Sequence, residues 1–428
     1  MHKLTELIRS DMKPAFGVTE PGAIAFAVAK ARAYTEGEIK SVDVKLNSGM
    51  YKNAFTCGIP NSNYFGNLYA AALGAIAADA DLELESLTNV TPEDDAAAAK
   101  MVEDGKVTAT MSNIASEISI VATVVTTEDE CTVNIKHSHT HIESIILNGK
   151  EIMSDVKDAV VGEEAEEEAP EILKCSFHEI VEYAKTVAPE EIAFIRDAFT
   201  MNLALLDEGL KSGKAPIAVQ LYEENGSELI SANPLKTAQL LCNGAIEARV
   251  LGLSRPAMSI TGSGSHGIIA TMPLYAYHKI RFGADADDTE LLRATALSYL
   301  ITMFIKEYSG KLSAFCGCGI AAGTGMACGL ALMQDADEDQ LFKVILNMSA
   351  GIVGMVCDGG NHGCAVKGIV ATDAAFRSVA LAMKNVCIEG IHGISGLTPE
   401  DTMRNMGLIA SEGMVETEGT ILKIMENK

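Results

Sequence analysis

Two periodicities separated by an acidic run predict an α+β chain: an N-terminal α+β domain with a mostly antiparallel sheet, then a larger, mostly α-helical domain. Apolar residues alternate in residues 41–47, where Val42, Val44 and Leu46 share one face, and three further strand-like runs follow at 118–125, 131–137 and 142–147. After Leu173 nearly every segment has helical period. Hydrophobic residues make up 48% of the 428, yet aromatics only 5%, with no Trp. Such a core is built from Ala, Leu, Ile, Val and Met, which suits closely packed helices.

Taken in order, residues 1–32 read as helix, turn and helix, opening on the amphipathic Met1-His-Lys-Leu-Thr-Glu-Leu-Ile-Arg. The turn Lys13-Pro-Ala-Phe-Gly-Val-Thr-Glu-Pro-Gly22 carries a helix-start signature. Thr19 is a capping type, Glu20 falls in the first turn, and Pro21 is tolerated there. Free amides at such a start favour an anion. Residues 67–80 and 92–103 read as helices, and Asn148-Gly149 closes a hairpin. The predicted organisation is a domain over 1–154, a solvated acidic linker over 155–172 containing Glu163-Glu-Ala-Glu-Glu-Glu-Ala-Pro170, and a helical domain over 173–428. Examples of its expected helices are 177–187, 190–210, 235–251, 289–305, 319–333, 341–356 and 374–386.

A net charge of −25 repels phosphate, so no nucleic-acid partner is expected. Apolar stretches such as 70–78 are too short to span a bilayer, and the opening lacks the pattern of a secretory signal. No membrane partner is expected, and a cytoplasmic location is; a homodimer is left open. Ten cysteines in a reducing compartment do not form a disulfide framework. Cys57, Cys131, Cys175, Cys242, Cys328 and Cys387 each stand alone and read as small buried hydrophobes.

Three cysteines differ. Cys316 lies in Leu312-Ser-Ala-Phe-Cys-Gly-Cys-Gly319, and Cys357 and Cys364 bracket Cys357-Asp-Gly-Gly-Asn-His-Gly-Cys364. Glycines let the backbone approach a bulky inorganic group. Three thiolates can hold three irons of a 4Fe-4S cluster and leave the fourth open as a Lewis acid. A zinc site with His362 as fourth ligand and a plain set of buried thiols are the alternatives. Thr261-Gly-Ser-Gly-Ser-His-Gly267 is a nest of amides and hydroxyls suited to a carboxylate, or a plain glycine-rich connector. Its Ser263 and Ser265 are candidate substrate contacts and His266 a candidate acid or base. In His137-Ser-His-Thr-His141 the three rings are expected on one strand face, either for metal or in solvent. Lys52, with Asn53 beside it, is a candidate carboxylate partner, and Glu20 suits an ammonium.

These segments together resemble the L-cysteine desulfidase family, which also covers proteins of the serine-dehydratase-alpha type. The matching segments run from Lys13-Pro-Ala-Phe-Gly-Val-Thr-Glu-Pro21 through Tyr51-Lys-Asn53, His139-Thr-His141, Glu247-Ala-Arg249, Pro256-Ala-Met-Ser259, Gly262-Ser-Gly264 and Gly267-Ile-Ile-Ala-Thr-Met-Pro273. They continue with Leu312-Ser-Ala314 and Cys316, and end with Val356-Cys-Asp-Gly359 and Cys364. The resemblance implies an oxygen-sensitive 4Fe-4S cluster on Cys316, Cys357 and Cys364. It also implies β-elimination from a small amino acid: L-cysteine to pyruvate, ammonia and sulfide, or loss of water from an L-serine-like substrate. Thr19, Glu20, Lys52, Asn53, Thr140, Ser263 and Ser265 are then the expected substrate contacts. The family's usual Gly-Cys-Thr-Glu-Pro motif supplies a cysteine as proposed base, but here that position is Val18, which accepts no proton. His266 and His139 are the candidates to replace it. A family member that binds an amino acid or small carboxylate without desulfidation is the alternative, and a structural zinc protein the third reading.

Overall fold

Val42, Val44 and Leu46 are all but fully buried along β2 (Ile39–Asn47), as their alternation predicts. The computed structural model describes residues 2–155, 169–283, 285–310 and 312–428. Preceding β2 are α1 (Lys3–Asp11), β1 (Lys13–Phe16) and α2 (Thr19–Ala33); following it are α3 (Ser48–Ala54), α4 (Asn67–Ile76) and α5 (Pro92–Glu103). Then come β3 (Val107–Asn113), β4 (Ser119–Thr126), β5 (Glu130–Lys136), β6 (Ile142–Leu147) and β7 (Lys150–Ser154).

These strands form a six-stranded sheet in the order β3-β2-β4-β5-β6-β7. The β2–β3 pair is parallel and the other pairs are antiparallel, so the sheet is mixed but mostly antiparallel. The two outer strands, β3 and β7, escape a pattern search for a physical reason. As edge strands they are largely solvated, and β7 is exposed along its whole length. Asn148 and Gly149 both take positive φ, 51° and 77°, closing the β6–β7 hairpin as expected. Helices α2 and α4 pack against the sheet.

The segment 13–16, expected as part of a turn, is a strand. β1 pairs antiparallel with β8 (Pro256–Ser259), Lys13 opposite Ser259 and Phe16 opposite Pro256. Helix α1 also docks on the helical half, where Thr5 Oγ1 lies 2.7 Å from Tyr183 Oη.

The helical half contains α6 (Phe177–Thr186), α7 (Arg196–Lys211), α8 (Pro216–Glu224) and α9 (Pro234–Val250). After β8 follow α10 (Gly264–Phe282), α11 (Thr289–Ser309), α12 (Gly323–Leu332), α13 (Glu338–Ile352), α14 (Gly363–Ala382), α15 (Pro399–Leu408) and α16 (Val415–Glu426). Helices α9, α10 and α11 are buried on nearly every side, so they lack an amphipathic stripe. Glycine brings α12 onto α11: a Cβ at Gly325 would lie 2.2 Å from the Ser298 carbonyl oxygen. Helix α10 fits the helical period of this half, but its glycine-rich start and internal Pro273 keep it from standing out in the sequence. The acidic linker falls mostly on residues 156–168, outside the described residues. Among the described residues no helix is long and apolar enough to cross a membrane.

Candidate functional site

The starts of α2 and α10 meet at one cavity of about 930 Å³. Thr19 joins them: its hydroxyl donates to Glu20 Oε2 at 3.0 Å and lies 3.3 Å from the Gly262 carbonyl oxygen. The N-cap of α2 is Val18 and not Thr19, and it offers no side-chain cap, so Thr19 is free for this bridge. Val18 itself is buried; a Cβ on Gly360 of the cysteine turn would lie 3.3 Å from its methyl.

Glu20 is buried and faces the cavity. Its Oε1 accepts from Asn53 Nδ2 at 2.8 Å and lies 3.9 Å from His139 Nε2. Burial alone would raise this carboxyl; the His139 ring, the Asn53 amide and the Arg249 guanidinium outweigh it and hold the group below the usual range. The three histidines do not share a face as expected. Strand β5 ends at Lys136, and His137 turns the chain with φ 66°. His137 is left exposed while His139 is buried against the cavity. Thr140, half-buried, also lines it.

Ser263 is the N-cap of α10 and, with Ser265, faces the cavity. The nest thus joins β8 to α10, a strand–turn–helix arrangement that the sequence did not reveal. Ser265 Oγ accepts from Arg249 Nη1 at 2.9 Å. His266 Nδ1 lies 2.6 Å from Thr261 Oγ1, and the Thr261 amide donates to Asp11 Oδ2 at 2.6 Å. Burial, with help from the Lys306 and Arg249 charges, pushes the His266 imidazole down to about 3, so the ring is neutral. Its other edge faces the cysteine segment: a Cβ at Gly317 would sit 2.6 Å from Nε2.

Cys316, Cys357 and Cys364 all reach this cavity. A β-bridge between Phe315 and Val356 draws their two segments together, with the Cys357 amide bonded to the Ala314 carbonyl and the Cys316 amide to that of Met355. The turn after Cys357 needs its glycine: Gly359 has φ 101°, and a Cβ there would lie 2.4 Å from the Lys52 carbonyl oxygen. Cys364 then opens α14, and burial pushes its thiol up to about 12. A hydrogen bond donated to Cys318 and burial raise Cys316, and burial raises Cys357. Among the described residues no three His, Cys, Asp or Glu side chains are gathered around one point as for a single metal ion.

Lys52 is placed differently from expectation. It does not line the cavity; its ammonium is buried, 2.6 Å from Glu418 Oε2 and 2.9 Å from the Ser313 carbonyl oxygen. A buried ammonium binds the nearest carboxylate, and α16 supplies one. Asn53 does face the cavity, but its amide is directed at Glu20. Sequence reasoning missed Asp11, Arg249, Lys306 and Lys367. Lys306 lines the cavity, and burial lowers its ammonium to about 8. Lys367, beside the thiols, pairs with Asp358. A signal existed for Arg249: a charged residue in the Ala- and Leu-rich stretch of α9, which is buried on nearly every side, needs a buried partner.

A family model described as the serine dehydratase alpha chain matches residues 81–423. Over 428 residues the chain is 37% identical to a UPF0597 protein of Clostridium botulinum strain Langeland, covering 99% of this chain and 98% of the relative. It is 33% identical to one from Caldanaerobacter subterraneus and 31% identical to one from Alkaliphilus oremlandii, each over 99% of this chain and 98% and 97% of the relative. The name of these relatives states no activity.

Proposed function

The chain belongs to the serine dehydratase alpha chain family, and on that premise we propose an iron–sulfur lyase acting on a small amino acid, L-cysteine or an L-serine-like substrate. One observation carries the reading. Three thiols from two distant segments, Cys316, Cys357 and Cys364, open on the same cavity as Glu20 and His139.

The donor set suits a 4Fe-4S cluster. Thiolates are its usual ligands, and a cluster spreads them wider than a single ion would. Gly317, between Cys316 and Cys318, lines the cavity and leaves room there for a bulky group. Lys306 and Lys367 stand beside the thiols and offset the charge that thiolates bring. When bound, the cluster supplies a Lewis acid to the leaving group or carboxylate.

The chain's own residues do the rest. Glu20 attracts the substrate ammonium. His139 takes the α-proton, and the Glu20 carboxylate beside it stabilises the imidazolium that forms. The β-substituent leaves with its bonding pair, as hydrosulfide or, taking the proton that the His139 imidazolium now carries, as water, and the aminoalkene that remains hydrolyses to pyruvate and ammonia. His266, kept neutral at the cysteine segment, is the second proton-handling group. A cytoplasmic location fits this chemistry, since all ten cysteines are free.

Val18 in place of the family's cysteine favours a second reading, an amino-acid binder without desulfidation. The zinc reading lacks a gathered ligand set among the described residues. The deciding experiment is iron and acid-labile sulfide on protein purified without oxygen, paired with a pyruvate assay on L-cysteine and L-serine. About four of each per chain, lost in Cys316→Ala, Cys357→Ala and Cys364→Ala, together with turnover, would support the lyase. Iron near zero after anaerobic reconstitution would remove it.

A further inference from the structure

We propose that the start of α10, backed by the buried guanidinium of Arg249, is the carboxylate subsite of this cavity, with Glu20 as the ammonium subsite beside it. The inference deepens the proposed function, because it orients the amino acid in that same site.

Helix α10 runs for 19 residues, and its N-cap, Ser263, makes no side-chain capping bond. The Gly267 amide is bonded to the Ser263 carbonyl, so the first-turn amides before it are left for a ligand. A helix start alone does not make a site, but Arg249 adds an independent observation. It is 4% exposed, and its Nε finds no hydrogen-bond partner among the described residues. The guanidinium is pressed against the helix start: a Cβ at Gly264 would lie 2.6 Å from Nε. The Glu20 carboxylate already supplies a nearby negative charge, but no acceptor reaches this Nε, and a buried donor left unpaired favours an acceptor close by.

Ser265 passes this charge to the cavity. Its Oγ accepts from Arg249 Nη1 at 2.9 Å, so its single proton is available to donate elsewhere. Ser265 lines the cavity, and a carboxylate there would receive that proton together with the helix amides. Arg249 is therefore a positioning residue that acts through Ser265.

The neighbouring carboxylates select the rest of the ligand. Glu20 and Asp11 both line the cavity, and a plain anion would meet their repulsion. Thr19 ties Glu20 to Gly262, immediately before the α10 start. Glu20 accepts from Thr19 Oγ1 and Asn53 Nδ2, which orient its carboxylate at the cavity for an ammonium. Opposite charges a few ångströms apart are what an α-amino acid presents.

Titration calorimetry on the full chain, prepared without oxygen, tests this with three probes. L-alanine carries both charges and no leaving group, L-alaninamide lacks the carboxylate, and propionate lacks the ammonium. Wild type is expected to bind L-alanine at least about tenfold more tightly than either of the others, given the worth of hydrogen bonds to charged groups. Ser265→Ala should weaken L-alanine about tenfold and leave L-alaninamide unchanged. Arg249→Met should do the same, and Arg249→Lys should restore most of the loss; Ser265→Ala carries the test if Arg249→Met does not fold. Equal binding of L-alanine and L-alaninamide, L-alanine binding unaffected by Ser265→Ala, or no L-alanine binding to wild type would each overturn the subsite. Selective L-alanine binding, with no pyruvate formed from L-cysteine or L-serine by the cluster-loaded protein, would retain the subsite and remove the lyase.

Discussion

Lys52 Nζ sits 2.6 Å from Glu418 Oε2, with the two side chains 0% and 5% exposed. The pair ties α3, which carries the Asn53 that holds Glu20, to α16 near the end of the chain. Removing one partner strands a buried charge. Glu418→Ala is expected to destabilise the fold by about 3–5 kcal/mol in urea denaturation, and Lys52→Met with Glu418→Met together to cost much less. Equal losses from the single and double variants would show that the pair does not behave as a coupled unit.

His266 gives the fold a pH dependence of known sign. Unfolded, its imidazole titrates near 6.5; folded, burial first and then the Lys306 and Arg249 charges hold it at about 3. Between these values the unfolded chain binds a proton that the folded chain refuses. This contribution is complete above pH 6.5 and falls by about 1.4 kcal/mol per pH unit down to about pH 3. Asp11, raised by burial, acts in the opposite direction, so the comparison is with a variant. His266→Asn should lose about 1 kcal/mol less than wild type between pH 7 and 5.5 in denaturant midpoints. Parallel curves for the two proteins would show that the ring is not held neutral.

Much of the fold was legible because alternation is a local signal, as in Val42, Val44 and Leu46. The cysteine segments were legible because glycines crowd them. What was hidden depends on partners distant in sequence. Asp11 meets Thr261 across 250 positions, and Lys52 finds Glu418 across 366, so a lone lysine in a loop could not be told from a ligand-binding one. The edge strands β3 and β7 carry no buried face to read, and Pro273 disguised α10.

The Cys357–Cys364 turn depends on Gly359. With φ 101° and a Cβ that would meet the Lys52 carbonyl at 2.4 Å, Gly359→Ala should cost roughly 1–3 kcal/mol and displace the turn. The variant is expected to hold less iron per chain than wild type after identical reconstitution. An unchanged iron content would detach the turn's geometry from cluster binding.

Glu20 and His139 should matter to chemistry more than to folding. His139→Asn and Glu20→Gln are each expected to lower kcat by about 10²–10⁴, with little change in iron content. Val18→Cys places a thiol against Gly360 and not on the cavity wall, so turnover should stay close to wild type. A large rise in Val18→Cys, with His139→Asn still active, would move the base to position 18.

The β1–β8 pair has a consequence for how the chain is made. Ser259 Oγ donates to the Lys13 carbonyl, 246 positions away, so β1 leaves the ribosome long before its partner exists. At typical elongation rates the wait is roughly 10–50 s. The cavity, which needs Thr19 beside Gly262, is therefore among the last parts assembled, and a nascent chain holds half an amino-acid site until translation has passed α10.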